Sequence, residues 1–95
     1  MALAVEPNNV VALDNKATSL DHLGKNNDAI GYYDKVLAVD PKNVVALIGK
    51  ADSLRLLEKY KEAIGYYDKA LVLEPSATDA SDGKRLALDS LNKTK

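Results

Sequence analysis

The chain says one thing twice. Ala29 to Pro41 reads Ala-Ile-Gly-Tyr-Tyr-Asp-Lys-Val-Leu-Ala-Val-Asp-Pro, and Ala63 to Pro75 reads Ala-Ile-Gly-Tyr-Tyr-Asp-Lys-Ala-Leu-Val-Leu-Glu-Pro. Aligned without a gap, Asn8–Pro41 and Lys42–Pro75 are identical at 20 of 34 positions. A period of this length marks an array in which each unit is one supersecondary element that buries its apolar face against its neighbours. The residues before the first unit, Ala-Leu-Ala-Val-Glu-Pro up to Pro7, match Val36–Pro41 and Ala70–Pro75, so Met1–Pro7 is expected to be the end of an earlier unit's second helix. Proline cannot continue a helical hydrogen-bond ladder and restricts the residue before it. Pro7, Pro41 and Pro75 therefore punctuate the chain into 1–7, 8–41, 42–75 and a tail over 76–95.

Each full unit reads as a helical hairpin. Asn9 and Asn43 are suited to cap helices, and Val10, Leu13, Ala17 and Leu20 follow at the spacing of one helical face, as do Val44, Leu47, Ala51 and Leu54. Turns over Gly24–Asn27 and Leu57–Lys61 come next, the second without glycine. The second helices carry their own stripes, Ala29, Ile30, Tyr33, Val36 and Leu37, then Ala63, Ile64, Tyr67, Ala70 and Leu71. Small alanines mark helix crossings, and Tyr33 and Tyr67 are large enough to fill the space between successive hairpins. Gly31 and Gly65 sit inside helices, where glycine is costly; either a neighbouring backbone approaches closely there, or the residue is simply duplicated. The tail starts one more helix, with Ser76 and Asp79 approximating a capping box and Leu88 and Leu91 a weak apolar edge. The expected fold is all-α, an α-solenoid of two complete 34-residue hairpins and a C-terminal capping helix whose polar back faces water.

Composition narrows the chemistry. Thirteen Lys and Arg against fourteen Asp and Glu give a net charge of −1, far from the basic excess that a nucleic-acid partner calls for. Cysteine is absent, which removes disulfides and Cys-based zinc sites. No apolar run approaches the length of about 20 residues that spans a bilayer, so no membrane partner is expected, and a cytoplasmic location is the default. Gly24, Gly49 and Gly83 each precede a lysine, yet none has the second glycine or the Ser/Thr of a phosphate loop. His22 is the single histidine, too few for a triad or a paired metal site. Thr78–Gly83 lacks the acids of a calcium loop, and Asn92-Lys-Thr94 is a glycosylation sequon by letter alone. No catalytic residue, metal or cofactor is expected, and the chain is not expected to be an enzyme.

Leu13, Ala17, Leu20, Ala29, Tyr33 and Pro41, repeated as Leu47, Ala51, Leu54, Ala63, Tyr67 and Pro75, resemble the pattern of the tetratricopeptide repeat. Leu13 and Leu47 depart from the tryptophan common in that family, Lys16 and Lys50 from its leucine, and in the tail Ser81 and Arg85 break the pattern. The resemblance implies a protein-interaction module, a fragment of a longer array, that holds a peptide or partner helix on the concave face of its first helices. It places there Val11, Asp14, Thr18, Asp21 and His22, then Val45, Ile48, Asp52, Arg55 and Leu56, then Asp79, Asp82, Leu86 and Asp89. Six Asp against one Arg make that face acidic with an apolar middle, which favours a basic, amphipathic protein or peptide partner; alternatively these are only solvated helix surfaces. Asp14, Thr18, Gly49, Asp79 and Gly83 stand where the family's chaperone-tail clamp needs Lys, Asn and Arg, which argues against that ligand. A second reading is a self-associating structural unit, because two complete repeats leave the first hairpin's apolar face uncovered and a homo-oligomer would bury it.

Overall fold

Asn9 and Asn43 start the two first helices in the same way. Each side-chain Oδ1 accepts from the amide three residues on, Ala12 N at 3.0 Å and Ala46 N at 2.8 Å, satisfying a donor that the helix itself leaves free. A computed structural model, describing residues 9–93, gives five helices: α1 (Val10–His22), α2 (Asn26–Val39), α3 (Val44–Leu56), α4 (Tyr60–Leu73) and α5 (Thr78–Lys93). No strand occurs among the described residues. The expected stub over Met1–Pro7 lies outside them.

The hairpin turns are tighter than expected, because α2 starts at Asn26 and α4 at Tyr60. Both first helices close with crossed backbone bonds: Gly24 N to Asp21 O at 2.9 Å with Lys25 N to Leu20 O at 2.8 Å, and Glu58 N to Arg55 O with Lys59 N to Leu54 O at the same two distances. This closure needs a left-handed residue. Gly24 supplies it at φ 78°, and Glu58 adopts φ 66° despite its side chain. The tail departs from its expected start. Ser81 N donates to Ala77 O, as Leu13 N does to Asn9 O, so the cap position is Ala77, which has no side-chain acceptor, and not Ser76.

Successive helices pack antiparallel and hairpins stack in order, α2 against α3 and α4 against α5. Ala17, Ala29, Tyr33, Val36 and Ala46 form the first core; Leu47, Ala51, Leu54, Ala63, Tyr67, Ala70, Ala80 and Ala87 form the second. The predicted stripes of α2, α3 and α4 thus pack into these cores, that of α1 buries only Ala17 fully, and the two tyrosines do fill the gaps between hairpins.

The glycines behave differently from expectation. Open space surrounds Gly31 and Gly65, so no backbone approaches them. Close approach occurs instead at Gly49 and Gly83, where a Cβ would overlap the rings of Tyr33 and Tyr67 respectively. In α5 the packed face is Ala80, Gly83 and Ala87, while Leu88 is 39% exposed. The helix lies close to α4 because these residues are small.

Candidate groove between the first helices

The first helices α1, α3 and α5 share one side of the stack, and an open groove of about 410 Å³ runs along it. It is lined by Thr18, Asp21 and His22 of α1, by Val45, Ile48, Gly49, Asp52, Arg55 and Leu56 of α3, by Asp79 of α5, and by Tyr33 reaching through from α2. A neighbouring hollow of about 310 Å³ between α3 and α5 shares Val45, Ile48 and Asp79 with it. Val45 and Leu56 are 62% and 55% exposed, so the middle of the groove presents apolar surface to solvent.

Nine of the fourteen residues that the resemblance places on the concave face line this groove: Thr18, Asp21, His22, Val45, Ile48, Asp52, Arg55, Leu56 and Asp79. Val11, Asp14, Asp82, Leu86 and Asp89 do not. Val11 and Leu86 are exposed beside it, and Asp82 pairs with Arg85 at 3.4 Å. Asp14 is half-buried, its Oδ1 enclosed without a donor. Burial raises its carboxyl above the ordinary value of 3.8, and the nearby Asp40 charge adds to this. Tyr33 and Gly49 are the lining residues that periodicity could not single out.

Two of the acids have internal partners as well as a place in the groove. Ser53 Oγ lies 2.8 Å from both oxygens of the Asp21 carboxylate, to which Asn26 Nδ2 also donates at 2.9 Å and the Tyr33 hydroxyl at 3.4 Å. These three donors are neutral, and together they hold the Asp21 carboxylate in place. Asp52 accepts from the Tyr67 hydroxyl and lies 3.6 Å from Arg55 Nη2, while Arg55 Nε donates to the Tyr67 oxygen at 3.0 Å. Burial raises the Asp52 pKa, opposed by the Tyr67 hydrogen bond and the Arg55 charge. Burial also raises the Tyr67 phenol, reinforced by Asp52. The phenol therefore stays protonated as a donor. These two networks tie each buried ring to a carboxylate of the groove.

The two repeats differ in a patterned way. Between α1 and α3 only five positions change, Asp14/Ile48, Asn15/Gly49, Thr18/Asp52, Asp21/Arg55 and His22/Leu56, and all five α3 members line the groove. Of the α3 residues that line the groove only Val45 is copied from α1, as Val11, whereas the buried apolar residues of α3 are all copied.

The family model for the tetratricopeptide repeat matches residues 15–80, and the chain belongs to that family. Among solved structures, the first TPR domain of the human RPAP3 protein superposes with a TM-score of 0.85 at 28% identity, covering 93% of this chain and 69% of that one. The first TPR of Spaghetti (RPAP3), bound to the HSP90 peptide SRMEEVD, gives 0.87 at 25% identity over 92% of this chain and 69% of its own. No curated protein sequence gives a significant match. Protein–protein interaction is thus the function class to which fold and family assign the chain.

Proposed function

We propose that the groove between α1, α3 and α5 binds an extended segment or helix of a partner protein that is basic and amphipathic. The supporting observation is the juxtaposition of exposed Val45 and Leu56 with the carboxylates of Asp21, Asp52 and Asp79 in one groove where Arg55 is the only Lys or Arg among the described lining residues. Apolar side chains of the ligand would cover the middle, and its lysines or arginines would meet the acids along the edges, steering encounter at low salt. The acidic HSP90 peptide seen on the Spaghetti domain meets the opposite charge pattern here, so SRMEEVD is not the ligand in this reading. No reaction is assigned to the groove, and the module acts by holding its partner, within a longer array in a cytoplasmic setting.

The test compares three synthetic peptides by calorimetry: a basic amphipathic one, its neutral counterpart with glutamine for lysine, and SRMEEVD. The basic peptide is expected to bind at micromolar strength, on the order of −8 kcal/mol, and to weaken as salt rises. Val45→Asp and Asp79→Lys, both at exposed positions, should each reduce its affinity about tenfold or more, the scale of one lost anchor. Equal binding of all three peptides, or preference for SRMEEVD, would defeat the assignment. Self-association through the first hairpin is the second reading, favoured by one observation: Leu13 and Leu20 of α1 are only half-buried where their counterparts Leu47 and Leu54 are covered. A light-scattering mass that stays near 10.2 kDa over a wide concentration range would remove it.

A further inference from the structure

The chain carries two arginines, and they are placed differently. Arg85 of α5 has a side chain 67% exposed, paired with Asp82 one turn back at 3.4 Å. Arg55 lines the groove, and its side chain is 24% exposed. Its Nε donates to the Tyr67 oxygen at 3.0 Å, and that hydroxyl donates in turn to Asp52. Because the Tyr67 ring is fully buried, the guanidinium is fastened to a group enclosed by the core.

Fastening through Nε leaves the other end of the fork open. Among the described residues neither Nη of Arg55 makes a hydrogen bond: Nη2 lies 3.6 Å from Asp52 Oδ1, an ion-pair contact only. A guanidinium keeps its charge at any ordinary pH and presents its N–H groups in a planar fork, which a carboxylate matches with two oxygens and a single carbonyl does not. The neighbouring helices fix what surrounds such a carboxylate. In the groove lining α1 contributes Asp21 and α5 contributes Asp79, on either side of α3, and among the described residues neither acid pairs with a Lys or Arg of the chain. A segment that crosses from α1 over α3 to α5 therefore meets an acid, a base and an acid.

We infer that Arg55 is the specificity-determining residue of the groove, taking one internal Asp or Glu of a partner segment whose basic residues on either side face Asp21 and Asp79. The inference rests on the groove reading above and narrows its ligand class. A uniformly basic segment sets like charge against the Arg55 fork and leaves it unpaired, and a segment with several acids sets the surplus against Asp21 and Asp79; both are selected against. Arg55 thereby fixes the register of the ligand as well as its charge pattern.

The test is a calorimetric scan of the full chain with capped amphipathic peptides of leucine and lysine, in which glutamate or glutamine replaces each lysine in turn. At one internal position, with lysines on both sides, glutamate should bind about tenfold more tightly than glutamine, the scale of a hydrogen bond to a charged group. At the other positions glutamate should bind more weakly than glutamine. Arg55→Gln should erase the gain while the all-lysine peptide binds as well as before or better, and Arg55→Lys, which keeps the charge and loses the fork, should retain part of it. On the unaltered chain the side-chain resonances of Arg55 should shift with the favoured glutamate peptide and not with its glutamine counterpart, a readout that does not depend on any variant folding. If the all-lysine peptide binds and no glutamate position gains, or if the gain survives Arg55→Gln, the inference is overturned and the groove assignment stands. If no peptide of the set binds, the groove assignment falls and the inference with it.

Discussion

Helices α1 and α3 share eight of thirteen residues, yet they live in different surroundings. In α3, Ala46, Leu47, Ala51, Ser53 and Leu54 are buried, whereas in α1 only Ala17 is. A first helix is covered on one side by its own partner and on the other by the hairpin before it, and α1 has just the former among the described residues. Burial in a stacked array is thus a property of position as much as of sequence. Conversely, the five positions at which α1 and α3 differ all line the groove in α3, and three of them, Thr18, Asp21 and His22, line it in α1, so the same fold carries two different strips of surface chemistry. The core repeats, and most of the groove lining does not.

The sharpest way to break this comparison is through the two tyrosines that occupy equivalent places. Tyr67 is fully buried and its hydroxyl is held by Asp52 and Arg55; Tyr33 is 4% exposed and its hydroxyl bonds, to Thr18 and Asp21, are 3.3 and 3.4 Å. Tyr67→Ala should cost about 3–5 kcal/mol, comparable to the total of about 5 kcal/mol at the low end for a small domain, and largely unfold the chain. Tyr33→Ala should cost less, because its environment lacks the second hairpin's complete enclosure. Thermal melts followed by circular dichroism decide the order; equal losses would remove the distinction between the two repeats.

Next in size is the glycine under each ring. Gly49→Ala forces a methyl into the Tyr33 ring and should destabilise by about 1–3 kcal/mol, the usual range for overpacking. Gly31→Ala and Gly65→Ala, in open space, should each stabilise by up to about 1 kcal/mol, since alanine is the better helix former. Urea titrations of the three variants would show opposite signs. The same sign for all would mean that the rings do not rest where they are described.

Asp14 gives a pH-dependent version of the comparison, since its counterpart is the apolar Ile48. Burial and Asp40 raise its folded pKa above 3.8, so the folded state binds the proton more tightly than the unfolded one. Stability then falls as pH rises from the ordinary carboxylate value through the raised folded value, and stays lower at neutrality. Asp14→Asn is expected to raise the Tm at pH 7 by a few degrees and to lose that advantage as pH drops through the same window. A difference that grows in acid would contradict the account.

The smallest effect belongs to the turns. Gly24 and Glu58 occupy the same left-handed position, where a side chain costs about 1–2 kcal/mol and glycine's extra freedom in the unfolded chain returns part of that. Glu58→Gly should therefore stabilise by about 0.5–1 kcal/mol, measurable as a modest rise in Tm.

Much of this architecture was legible in the sequence. The period, the prolines and the apolar stripes imply stacked hairpins, because each depends on local spacing that a helix converts directly into a face. Gly31 and Gly65 show where that reasoning stops. Repetition alone could not tell a duplicated surface glycine from one under an aromatic ring, and Gly49 has no glycine counterpart in the first repeat, where Asn15 stands. For the groove, Asp21 and Asp52 could be placed on the right side of their helices, but their hydrogen bonds to Ser53 and Tyr67 cross between helices and depend on packing that no linear pattern records. Asp14 was expected beside them and is half-buried away from the groove lining, because the turn of α1 that carries it lies near Asp40 at the end of α2. The signal that finds the groove most economically is the list of positions where two near-identical helices disagree.

The proposed role of the groove is to take a basic, amphipathic ligand. Amide shifts of the labelled chain on adding such a peptide test this most directly. The prediction is that Val45, Ile48, Asp52 and Leu56 move together with Thr18 and Asp79, in proportion to occupancy and less at high salt, while Ala12, Lys16 and Ser19 stay still. Shifts spread evenly over the acidic surface, or confined to the outer face of α1, would contradict it.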